Sequence, residues 1–291
     1  MPPLVLFLFE GLAWLATFGV MLSGALIVGP PIVREVQRRP RLFLRVLFAV
    51  WVLVPVLTFT VLAVTGVTGT AATLLLLMSV CPGLPLMLAS TRTVRGSMRT
   101  ALLALVLTTM TEPFLLPIWT SLISRVLPVD LGISMEEVLS VLVPTVFIPI
   151  ALGFFLRAAW PKVAPPLIKF ADVLYIVGTA ASAGIALWQG ALLLPTVPLE
   201  AFVATVIITL GDFAIGAWAG SPNPDDRKAV GFAAALGNPA LALVVVQSAY
   251  SGERAGVLVS IYLIVRAMVL MPLEVLLLWF RERQSEEAVG R

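Results

Sequence analysis

The chain has no histidine, a single cysteine and little charge. Asp, Glu, Lys and Arg together make up 12% of its 291 residues. Each shortage excludes something. Without histidine there is no Ser-His or Cys-His nucleophile pair, no His-based proton relay and no ordinary zinc site. With Cys81 alone, an internal disulfide is impossible. Soluble domains carry about 25% charged residues, so a charge content of 12% with 60% hydrophobic residues describes a polytopic membrane protein. The mean hydropathy of +1.05 agrees. The net charge of +3 would suit nucleic acid, but basic loops beside a membrane account for it, and no nucleic-acid partner is expected.

What the chain does have is apolar length. A membrane-crossing helix needs about 20 predominantly apolar residues. Nine such spans are expected, at residues 4–28, 42–65, 70–91, 98–122, 136–158, 167–191, 198–219, 228–250 and 255–280. They use nearly the whole sequence and leave no room for a soluble domain. The beginning lacks the basic flank and cleavage site of a signal peptide, so the first span is expected to be kept. With nine alternating spans, 16 of the 19 basic residues fall on one side. The positive-inside rule then places the C-terminus in the cytoplasm and the N-terminus outside, in the cell's inner membrane. Trp119, Trp160, Trp188, Trp218 and Trp279 fall near span ends, as an interfacial aromatic belt requires.

Two spans are broken near their middles, at Cys81-Pro82-Gly83-Leu84-Pro85 and at Gly237-Asn238-Pro239. Unpaired peptide groups in hydrocarbon are costly, so such breaks survive only inside protein or beside a wet cavity. Paired breaks in two halves of a chain point to a transport site. Each break is followed by a polar loop, a further span and a second proline: Pro117 lies 35 residues after Pro82, and Pro272 lies 33 after Pro239. Residues 4–122 and 167–280 therefore read as two four-span copies. The lone span 136–158 between them inverts the second copy, as in many secondary transporters.

The residues at these breaks resemble those of the bile acid:sodium symporter superfamily. The matching stretches are Cys81-Pro82-Gly83, then Asp226-Arg227-Lys228-Ala229-Val230 leading to Gly237-Asn238-Pro239-Ala240-Leu241-Ala242, and the run Thr108-Thr109-Met110-Thr111-Glu112-Pro113-Phe114-Leu115-Leu116-Pro117. The resemblance covers nearly the whole chain in span order. It implies an all-α membrane fold with a panel (4–28, 136–158, 167–191) and a core (42–122, 198–280) in which discontinuous helices cross. It also exposes a departure. Where sodium-coupled relatives carry a Glu four residues before a Gln, this chain reads Ala233 and Gly237. Of the expected sodium-binding oxygens only Thr108, Thr109, Thr111 and Asn238 remain, so sodium coupling is not expected.

Glu10, Glu112, Asp212, Arg266 and Glu274 lie within spans, with Asp172 near a span end. A charge at the bilayer centre costs at least about 2.5–3.5 kcal/mol and usually finds a partner in the bundle interior. Arg266 with Glu112 or Asp212 is either a structural ion pair or a replacement for the missing cation sites. The expected substrate-binding set is Asn238, Pro82, Gly83, Gly237, Arg266, Thr108 and Thr111. Glu112, Asp212 and Thr109 are the candidates for a proton or coupling ion. Asn238 has an alternative role as a helix cap, and Gln247 and Thr58 are further candidates for the cavity wall.

The reading is a secondary transporter of a small organic anion, monomeric or dimeric, that needs the bilayer but no cofactor or metal. A cation/proton antiporter or arsenite-type efflux protein is the alternative within transport. An aspartyl intramembrane protease is weak, because Thr209 breaks the Gly-x-Gly-Asp signature at Thr209-Leu210-Gly211-Asp212. A non-transporting sensor is the remaining class.

Overall fold

A computed structural model describes residues 3–29, 32–83, 86–127, 131, 133–193, 198–238, 241–242, 245 and 254–289. For the start of α1 and parts of α2, α8 and α11 it gives the backbone alone. The described residues are helical, without strands. Eleven helices follow in order: α1 Pro3–Val28, α2 Ile32–Arg38, α3 Pro40–Thr65, α4 Gly69–Val80, α5 Leu86–Thr93, α6 Met98–Val126, α7 Met135–Ala159, α8 Ala164–Leu193, α9 Leu199–Ala219, α10 Pro224–Ala235 and α11 Arg254–Val289. Among the described residues six segments are long and apolar enough to cross a membrane: Pro40–Thr65, Met98–Val126, Met135–Ala159, Pro161–Ala181, Leu199–Ala219 and Tyr262–Trp279. Trp14–Val28 and Gly69–Val80 are shorter apolar helices.

The first expected break is present. α4 stops at Val80, the chain bends through Cys81 to Gly83, and α5 starts at Leu86. Gly83 sits at φ +85°, a backbone conformation that a Cβ disfavours. The second expected break is entered at Leu236, where α10 ends and the backbone turns extended. Pro239 and most of 243–253, including Gln247, lie outside the described residues.

By contrast, Pro113 and Pro117 do not break α6. A proline removes one backbone donor and frees the carbonyl four residues back. Threonine hydroxyls nearby bond other carbonyls of the same helix: Thr111 donates to Leu107 O and Thr108 O, and Thr120 to Pro117 O. In α3 and α7 the chain instead widens into a π turn, at Ala49–Leu53 and Val143–Phe147, just ahead of Pro55 and Pro149. A π turn relieves the clash between a proline ring and the preceding turn.

Two packing groups emerge. α1 lies along α8 and α7. Small residues make this possible, since Gly19 meets the backbone of Ala171 and Tyr175, Gly178 that of Leu12 and Ala16, and Gly153 that of Leu22. Where lipid is as apolar as leucine, such close backbone approach drives helix association. The second group gathers α3 to α6 with α9 and α10 around a core of Leu74 to Met78, Leu102 to Leu105, Ile208 and Phe232, with α11 against α9. Within it α10 lies on α9, where Gly216 faces the Val230 carbonyl. Many lipid-sized side chains point outward, among them Val64, Phe114, Ile118 and Met271.

A Cβ on Gly216 would overlap backbone, whereas one on Gly11 meets nothing within 4 Å. Gly216→Ala should therefore destabilise the detergent-solubilised chain by about 1–3 kcal/mol. Gly11→Ala should leave its thermal melt unchanged or raise it. Equal melts for the two variants would contradict the packing described.

Candidate functional site at the helix crossing

The two breaks meet. The main-chain N–H of Asn238 donates to the carbonyl of Cys81. One residue earlier, Gly237 packs so close to the Met78 carbonyl that any side chain would overlap it. Asn238 also closes a turn, accepting from the Ala242 N–H at 3.1 Å. The crossing is thus backbone on backbone, which is why glycine stands at 237. Cys81, Pro82, Gly83, Gly237 and Asn238 are all buried.

Helix α10 leaves carbonyls unpaired at its C-terminal end. Arg266 of α11 supplies a donor: Nη1 binds Ala235 O at 3.0 Å. Its other arm, Nη2, binds Asp212 Oδ2 of α9 at 3.3 Å. Arg266 is 1% exposed and Asp212 0%, so this is a buried ion pair at a helix end. It joins α9, α10 and α11 three residues from Asn238. Among the described residues, Arg266 Nε and Asp212 Oδ1 have no hydrogen-bond partner. Asp212, not Glu112, is therefore the acid that pairs with Arg266.

Glu112 stands apart. It is fully buried, and among the described residues neither carboxylate oxygen has a partner. The Thr109 hydroxyl, one turn away on α6, is likewise unpartnered. Both face the first break, since a Cβ on Gly83 would stand 3.0 Å from Thr109 Oγ1 and 3.5 Å from Glu112 Oε1. The crossing thus has two polar centres, a paired one around Arg266 and an unpaired one around Glu112.

The other candidates are placed differently. Thr108 donates to Ala104 O and Leu105 O of its own helix. Thr111, besides its own helical bonds, accepts from Trp51 Nε1 at 2.9 Å and ties α3 to α6. Thr58 bonds Val54 O. The side chain of Glu10 lies outside the described residues.

A network that sequence reasoning missed lies at one end of the bundle. Buried Asp226, at the start of α10, is held by Arg39 and by the Thr100 hydroxyl. Ser97 N–H donates to Asp225 O at 3.0 Å, and Arg45 Nη2 to Ser221 O at 2.7 Å. The available signal was a pair of acids opening a helix next to three basic loops. The network brings together the loops ahead of α3, between α5 and α6, and between α9 and α10.

Comparison with known proteins decides the kinship. The family model described as the sodium bile acid symporter family matches residues 14–213. The chain belongs to that family. Its members are transporters, and this chain is a multi-pass membrane protein of that transporter family. No curated protein matches it. The family match ends one residue past Asp212, so Gly237, Asn238 and Arg266 stand beyond the matched stretch.

A buried charge left without its partner costs about 3–5 kcal/mol, whereas an apolar pair of similar volume often restores stability. Arg266→Met and Asp212→Leu should each destabilise this family member by that order, and the double variant should recover most of the loss in thermal melting. Additive losses in the double variant would contradict the pairing.

Proposed function

We propose that the chain is a secondary transporter of a small organic anion, working by alternating access and driven by protons or by substrate alone rather than by sodium. The observation that carries this reading is the guanidinium of Arg266 on the terminal carbonyl of α10, at the point where the two helix breaks meet. A bound cation would act at such a place by balancing negative helix ends and holding the broken segments together. Arg266 supplies that positive charge covalently, and Ala233 and Gly237 offer no side-chain oxygen to a sodium ion. Asp212 is committed to Arg266, so the proton-carrying role falls to Glu112, with Thr109 beside it. An ionised carboxylate without partners in that setting would be uncompensated, and uptake of a proton neutralises it.

In this reading Pro82, Gly83, Gly237 and Asn238 form the substrate-facing wall of the crossing. Thr108 and Thr111, whose hydroxyls bond helix carbonyls, support it from behind. The α1–α7–α8 group serves as the panel and the rest as the moving core of an inverted repeat. Three basic loops gathered by the Asp226 network support a shared side for them, which we assign to the cytoplasm, with the N-terminus outside.

Uptake of carbon-labelled organic acids into proteoliposomes tests the proposal. Flux should be unchanged when sodium is replaced by choline. If protons drive it, an imposed pH gradient should accelerate uptake, and Glu112→Gln should abolish that acceleration while leaving substrate exchange intact. Flux that requires sodium would overturn the reading.

A further inference from the structure

A cavity of about 330 Å³ lies between the two packing groups, away from the helix crossing. α1 and α8 form one wall, and α5 with the start of α6 forms the other. Its sides are largely apolar, with Val20, Leu88 and Met98 among them, and its polar lining includes Ser23, Arg92, Asp172 and Tyr175. Asp172 of α8 holds one partner on each side. Ser23 of α1, in its own group, donates to Oδ1 at 2.6 Å, and Arg92 of α5, in the other group, donates to Oδ2 at 2.7 Å.

Four ion pairs join described side chains, and three of them stay within the second group or its flanking loops: Arg39–Asp226, Lys228–Asp225 and Arg266–Asp212. Among the described side chains, Arg92–Asp172 is the ion pair that ties the groups together. It also differs from the Arg266 pair in exposure, since the Arg92 side chain is 51% and that of Asp172 25% exposed. A solvent-reached pair of this kind contributes little net stability. A guanidinium exchanges readily between carboxylates because its planar fork fits any of them.

We propose that Arg92–Asp172 is a latch between the two groups and that an anionic ligand entering the cavity opens it. The ligand's carboxylate takes Asp172's place on Arg92. Asp172 keeps its bond to Ser23, so it stays with its own group, and the tie between the groups is lost. Ligand binding is thereby coupled to release of one group from the other. The inference rests on the transporter reading for the motion that the latch restrains.

The test uses the full chain in liposomes with Cys81→Ala as background and Ala89→Cys, on the cavity wall, as reporter for maleimide labelling. Asp172→Asn should raise the labelling rate several-fold. The charge-swapped double variant, Arg92→Asp with Asp172→Arg, should return it to the slow rate, which separates loss of the pair from damage to the fold. Benzoate, the probe monocarboxylate, should raise the rate in the background chain but not in Arg92→Gln, and benzyl alcohol should have no effect. An unchanged rate in Asp172→Asn, a benzoate response that survives Arg92→Gln, or no benzoate response at all would each overturn the latch. Absence of organic-anion flux together with the full labelling pattern would instead remove the transporter reading and leave the latch in place.

Discussion

Peptide groups released from a helix inside an apolar bundle have no water to turn to, and the crossing is organised around that constraint. The breaks at Cys81 and Leu236 would each leave donors and acceptors stranded. They answer one another through Asn238 N–H and Cys81 O. Gly237 is what lets the backbones approach, because a side chain there would occupy the place of the Met78 carbonyl. The carbonyl of Ala235, at the end of α10, is taken by Arg266. Arg266 in turn requires Asp212, since a guanidinium buried alone would cost more than the carbonyl it serves. One strained topological choice thus accounts for a glycine, an arginine and an aspartate on three different helices.

Much of this was legible in the sequence. Pro and Gly in the middle of long apolar runs predict the broken backbone at 81–83 and the end of α10. An arginine in a span predicts a carboxylate partner. What hydropathy and punctuation leave open is facing. Glu112 and Asp212 were equal candidates for Arg266, because nothing in one chain says which helix turns which side inward. Thr108, Thr109 and Thr111 read as a single oxygen-rich patch, yet they have three separate environments. Thr108 bonds its own turn, Thr111 bonds its own helix and Trp51, and Thr109 is unpartnered beside Gly83. The proline pair in α6 shows the converse. Pro113 and Pro117 resemble breakers in sequence, but the helix runs on through both.

Charge is distributed by role. Asp226, Arg39 and Thr100 knit the basic loops at one end of the bundle, where water and lipid headgroups soften the cost of any lost contact. Arg92 and Asp172 bridge two packing groups across a cavity and stay within reach of solvent. Arg266 and Asp212 are sealed, and Glu112 is sealed without a partner. On the proposed reading, a carrier would use this range, with fixed charges where geometry must not change, exposed pairs where it must, and one neutralisable acid where energy would enter.

The central claim is that charge built into the chain, and not a bound alkali cation, holds the crossing together. The direct measurement is the melting temperature of the purified chain as choline is replaced by sodium at constant ionic strength, since a ligand of the folded state raises stability by mass action. The account predicts a melt independent of sodium. A saturable rise in melting temperature with sodium would contradict it.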